Sequence, residues 1–92
     1  MFRIEWDEEK RKKNARLHGI DFIELQELFD CETYTVLDER FEYNEIRFLT
    51  LGMLNGRVIA VSHTETDDVI RIISARKAEK HEQETYFTKI RD

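Results

Sequence analysis

Asn55-Gly56 sets the first constraint on this chain, because segments of β-type composition stand on both sides of it. Asn and Gly both tolerate positive φ, and Asn-Gly closes the two-residue turn whose twist matches a pair of antiparallel strands. Glu45 to Met53 and Val58 to Thr64 therefore read as the two arms of a hairpin around Leu54-Asn55-Gly56-Arg57. Asp67-Asp68 turns the chain again, into Val69 to Ser74. There Ile70 and Ile72 fall on one face and Arg71 and Ile73 on the other. Tyr34 to Leu37 adds a short β-rich segment upstream. These pieces make an antiparallel meander of three to four strands, which needs helices to cover its apolar face.

The helices announce themselves by their caps. Phe2, Ile4 and Trp6 alternate with Arg3 and Glu5 as a short N-terminal strand, and Asp7 is a good N-cap for a helix starting at Glu8. Glu8 and Glu9 suit the positive end of the helix dipole, and Gly19 suits the C′ position after His18. This helix is polar nearly all round, with Lys10, Asn14 and His18 at i, i+4 and i+8 down one side. Such a ladder reads either as solvated surface or as a functional row. Asp21-Phe22-Ile23-Glu24 resembles a capping box, and Phe22, Leu25, Leu28 and Phe29 give a second, amphipathic helix ending near Asp30. After Ser74 the composition turns helical, from Ala75 to Ile90. The last helix, Lys77 to Ile90, puts Ala78, His81 and Thr85 on one side. It is polar enough to lie over the sheet or reach toward a partner. The expectation is one α+β domain over residues 1–92.

Charge and cysteine usage narrow the classes. Cys31 is alone, no Cys/His spacing suits zinc, and no apolar run approaches the roughly 18 residues of a membrane span. The N-terminus lacks the apolar core of a signal peptide, so a cytoplasmic, membrane-free protein is expected. The net charge of −5 is unevenly spread. Residues 21–45 hold nine acids and one base, which leaves 14 bases against 11 acids elsewhere. Lys10-Arg11-Lys12-Lys13, with Arg16 after it, is the densest basic run, so an anionic ligand is permitted despite the overall sign.

Arg71 and Arg76 flank the expected strand-to-helix junction, where a strand end and a helix start can aim two guanidinium groups at one phosphate or carboxylate. Around them stand Trp6-Asp7-Glu8-Glu9-Lys10, Asn14, His18-Gly19-Ile20-Asp21-Phe22, Thr64-Glu65 and Arg71-Ile72-Ile73-Ser74-Ala75-Arg76-Lys77-Ala78. In these residues, and in their order, the chain resembles the BrnT family of type II toxin–antitoxin ribonucleases over essentially its whole length. The resemblance implies a compact RelE-like fold and RNA cleavage that inhibits translation without metal or cofactor. It also implies a cognate BrnA-like, DNA-binding antitoxin, with a toxin homodimer inside a heterotetramer as one assembly. Two positions depart from the family pattern: Leu17 stands where a lysine is usual, and Thr66 where an arginine is usual.

Cleaving RNA without a metal requires a base for the 2′-OH, a cation for the phosphorane and an acid for the leaving oxygen. On this reading His18, Glu65, Arg71 and Arg76 are catalytic, and Lys10, Asn14 and Lys77 hold the substrate. Each has a structural alternative. His18 suits a helix C-terminus, and Glu65 can pair with Arg71 across the hairpin. His63 reads as structural and His81 as solvated. Trp6, Tyr34 and Tyr43 can stack on bases, although Trp6 fits a core better. The competing function is a non-catalytic antitoxin-binding protein that has lost cleavage. No helix-turn-helix is visible, so a DNA-binding regulator has little support.

Overall fold

The computed structural model of the protein describes residues 2–39 and 44–91; Tyr43 lies outside them. The strands are β1 (Arg3–Glu5), β2 (Thr33–Leu37), β3 (Phe48–Leu54), β4 (Arg57–Thr66) and β5 (Val69–Lys77). They form a mixed sheet in the order β1-β5-β4-β3-β2. The last four strands are the expected antiparallel meander, with Leu54 opposite Arg57 across the turn. Asn55 and Gly56 both take positive φ there, 53° and 79°. The first strand joins the far side in parallel, with Ile4 beside Ile70 and Glu5 beside Arg71.

Helix α1 (Glu8–His18) begins and ends at its sequence signals. The Asp7 carboxylate accepts the Lys10 N–H, and Gly19 closes the helix at φ 70°. The second helical piece is shorter than its pattern suggests: a 3-10 turn over Phe22–Glu24, then α2 (Leu25–Phe29). Asp21 caps it through the Ile23 N–H, but Glu24 does not complete the box. Its carboxylate instead accepts from Asn55 Nδ2 at 3.2 Å. Arg11 ties the two helical pieces together, donating to Asp21 at 2.8 Å and to Glu8 at 2.8 Å. That guanidinium holds both carboxyls below the usual carboxylate range.

The strand-to-helix junction lies three residues later than the composition suggests. Pairing of Ile59 with Lys77 carries β5 past Ser74, so Arg76 and Lys77 are strand residues. Helix α3 (Lys80–Arg91) starts only after them. It lies over the sheet, as expected, but turned: the inward row is Ala78, Glu82 and Tyr86, all buried, and the partly buried Ile90, at spacings of four, while His81 is exposed. Tyr86 decides the rotation. Its ring buries beside Leu51 and Ala60, and its hydroxyl donates to the Glu32 carbonyl at 3.0 Å.

Two cores result, one on each face of the sheet. Ile20, Phe22, Leu25 and Leu28 pack on Ile59, Val61, Ile70, Ile72 and Ala75, with Ile4 and Trp6 at the margin. On the other face Ala78 and Tyr86 pack on Leu49, Leu51, Val58 and Ala60. Gly52 lets α2 approach: a Cβ there would stand 2.8 Å from Leu28. No helix among the described residues is long and apolar enough to cross a membrane.

Candidate nucleic-acid interface

Asn14 is the polar residue that fixes α1 against the sheet. It is buried, and its Nδ2 donates to the carbonyls of Ile20 (3.0 Å) and Ala75 (2.9 Å). Its Oδ1 accepts the Ala75 N–H at 3.0 Å. One side chain thus answers the β5 backbone as a neighbouring strand would, beyond the point where β1 stops. The Lys10, Asn14, His18 row therefore faces β5 rather than open solvent on all sides. Lys10, Lys13, Leu17 and His18 line a cleft of about 230 Å³ with Ile73 and Ser74, and Asn14 lies at its base.

Arg71 and Arg76 share a face of the sheet because of a bulge. Ser62 pairs with Ser74 and His63 with Ile72, so Ile73 has no opposite number. The extra residue restores the phase: Arg71 opposite Thr64 and Arg76 opposite Ala60 point the same way. Their Cα atoms are nevertheless about 15 Å apart along one strand. The two guanidinium groups also have different partners. Arg71 is half-exposed and reaches Glu5 at 3.1 Å. Arg76 makes a two-pronged pair with Glu82, at 2.8 and 3.1 Å, and donates to the Lys77 carbonyl. Glu82 also accepts the Glu79 N–H at 2.8 Å, the third-position half of a capping box. Foremost because of Arg76, its carboxyl sits below the usual range. Arg76 accordingly joins α3 to β5, and the expected junction clamp is not formed.

The remaining predicted residues lie elsewhere. Glu65 is opposite Ile70 on the face away from Arg71, so the expected cross-hairpin pair gives way to Arg71–Glu5. Its carboxylate is 3.7 Å from Nδ1 of His63. His63 is fully buried, stacked on Phe48 and edge-on to Phe29, with Nε2 and the Thr50 hydroxyl 2.6 Å apart. Burial pulls it down to about 4, so the ring is neutral at pH 7. Lys77 borders a separate cleft with Arg57, Gln83 and Phe87. Trp6 packs edge-on to Phe22, and Tyr34 carries Lys89 5.8 Å from its ring centre.

Lys10, Asn14 and His18 are thus brought together, with Arg71 three residues up β5 from Ser74. Lys13 and Ser74 are members of this cleft that the residue pattern did not single out. Lys13 sits three residues from Lys10 and four from Leu17, so helical spacing alone would have placed it there. Ser74 carried no such signal, because its exposure to the cleft depends on the bulge. Two ammonium groups, an imidazole and a hydroxyl can hold an anion and move a proton at its edge. In comparisons with known proteins, a family model described as "Ribonuclease toxin, BrnT, of type II toxin-antitoxin system" matches residues 6–82. Among curated proteins there is no match. A match across most of the chain, with the basic cleft held by its first helix and last strand, leads to one conclusion: the protein belongs to the BrnT family of type II toxin–antitoxin ribonuclease toxins.

Proposed function

We propose that the protein is a metal-independent endoribonuclease whose reaction takes place at the α1–β5 cleft, and that a cognate antitoxin neutralises it. Translation stops because message is cut. The observation that carries this reading is the cleft itself: Lys10, Lys13, His18 and Ser74 around a floor pinned by Asn14, with Arg71 outside the lining, three residues from Ser74 along β5. His18 takes the proton of the 2′-OH as that oxygen attacks the adjacent phosphorus. Lys10, Lys13 and Arg71 face the charge that builds on the phosphorane oxygens. An ammonium hands a proton to the leaving 5′-oxygen, leaving a 2′,3′-cyclic phosphate and a 5′-hydroxyl. Among the described residues the lining supplies no carboxylate, whereas a magnesium site draws on oxygen ligands. The one group of acids and histidine close enough to hold an ion, Glu79, His81 and Glu82 among the described residues, is at α3, where Glu82 is engaged by Arg76.

Labelled single-stranded RNA incubated with the protein in EDTA tests this. Cleavage with a cyclic-phosphate end is expected. His18→Ala should slow it by about 10² to 10⁴, and Arg71→Ala by about 10² to 10³. Inhibition by EDTA, or variants as fast as the parent, would reject the mechanism. A second reading has its own support. Both arginines meet carboxylates, and the exposed Leu17 stands at the cleft where the family usually carries a lysine. On that reading the protein binds its antitoxin without cutting RNA, and a parent inert toward every RNA offered would establish it.

A further inference from the structure

The two sides of the sheet are treated differently. On the β1 side, β5 runs on past β1, and Asn14 meets its backbone at Ala75. On the other side β2 is outermost, and among the described residues no strand covers it. Its register shows which groups are left open. The Asp38 N–H donates to the Arg47 carbonyl at 2.9 Å, so residues 34, 36 and 38 point their backbone at β3. The N–H and C=O groups of Thr33, Thr35 and Leu37 therefore point outward. Edge strands are usually blunted by a lysine, a proline or a bulge. Thr33–Leu37 contains no charge and no proline, and its register with β3 is unbroken.

A cleft of about 300 Å³ opens beside this edge, its apolar wall formed by Tyr34, Val36, Leu49 and Leu51, with Asp38, Glu39 and Glu82 as the acids of its lining. Val36 and Leu37 are 38% and 55% exposed. A strand added to β2 would have alternate side chains directed at this cleft. The charge at the edge selects the occupant. Glu32 and Glu39, both exposed, bracket β2 within the stretch 21–45 that carries nine acids and one base. Lys89, a basic group beside the strand, lies over the Tyr34 ring on the α3 side. A second copy paired antiparallel about Thr35 would bring the exposed Glu32 of one copy to the end of the strand where the exposed Glu39 of its twin stands. Like charges placed so are destabilising. A segment with basic residues at both ends meets no such repulsion.

We propose that the β2 edge is where the antitoxin docks, by adding an extended segment of alternating apolar and polar residues flanked by Lys or Arg. Who supplies the segment rests on the toxin–antitoxin reading of the protein; the chemistry of the edge does not. Three strand spacings, about 14 Å, separate β2 from β5. The edge anchor and the RNA cleft are therefore distinct sites.

The probe is a synthetic peptide of alternating threonine and valine with a lysine-arginine pair at each end, added to the full chain. Amide hydrogen exchange should slow at Thr33, Thr35 and Leu37 by about tenfold or more. A peptide N-methylated at alternate residues should give no protection, and a glutamate-ended peptide should bind at least about tenfold more weakly. The charge-swapped variant Glu32→Lys/Glu39→Lys should reverse that preference. In the complex with the protein of the adjoining reading frame, the same three amides should be protected. Unprotected amides with the basic peptide, protection elsewhere, or a free protein that sediments as a dimer with these amides already slow would overturn the proposal. So would an adjoining-frame complex that forms and leaves them exposed. If no such complex forms but the peptide still protects the edge, the toxin–antitoxin reading fails while the strand-addition chemistry stands.

Discussion

At the scale of single residues, Leu17 and His63 carry the sharpest consequences. Leu17 is 66% exposed and borders the cleft, so a lysine there adds an ammonium without disturbing the core. Leu17→Lys should raise affinity for single-stranded RNA and steepen its salt dependence by about 0.7 in log–log slope. Fluorescence anisotropy at several salt concentrations measures both. An unchanged slope would place the RNA elsewhere. His63 is lowered in the fold to about 4 from an unfolded value near 6.5. The unfolded chain thus binds the extra proton first. The stability this ring contributes is complete above pH 6.5 and is lost as the pH falls toward 4. The loss is at most about 3 kcal/mol. Urea denaturation at about pH 7, 5.5 and 4.5 should show that decline, and His63→Phe should flatten it. Asp21 and Glu82, also lowered, lose their share only at more acid pH, below the ordinary carboxylate range.

At the scale of elements, the two arginines of β5 separate cleanly. Arg76 and Glu82 join strand to helix in a pair whose carboxylate is nearly buried, with 9% of its side chain exposed. Arg71 and Glu5 are about half-exposed, and such pairs contribute little. Glu82→Gln should destabilise the fold by about 2 kcal/mol, because a charge-assisted bond and the helix cap both weaken. Arg71→Ala should change stability by less than about 0.5 kcal/mol while slowing RNA cleavage. Thermal unfolding and cleavage, read on the same samples, distinguish the roles. Equal melting temperatures for the two variants would mean that α3 does not depend on this pair.

At the scale of the whole molecule, one sheet serves two cores, so α3 is integral to the fold. Truncation after Glu79 would bare Leu51, Val58 and Ala60 and remove Tyr86. The shortened chain should lose its cooperative thermal transition and aggregate, as circular dichroism and light scattering would report. A truncated protein that still melted cooperatively would make α3 an appendage instead. The charge layout is also a property of the whole. A chain of net charge −5 presents a basic cleft at β5 and an acidic edge at β2, on opposite sides of the sheet.

Residue order alone was enough wherever local backbone chemistry enforces the outcome. Positive φ at Asn55-Gly56 fixed the hairpin, Asp7 and Gly19 bounded α1, and Asp21 started the next helical piece. The family motif was legible too, because it is written in residue order. Features that depend on contacts distant in sequence emerged only once the elements had packed. Asn14 finds its partner in Ala75, 61 residues away, and helical spacing could say only that Asn14 shares a face with Lys10 and His18. The bulge at Ile73 arises from the β4–β5 register and puts Arg71 and Arg76 on one face, against the simple alternation of a strand. Tyr86 and Glu82 face inward because the sheet below offers Leu51, Ala60 and Arg76, and the helix's own polarity pattern contains no record of that surface. Local chemistry sets where elements start and stop. The faces they present to one another depend on the packing that assembles them.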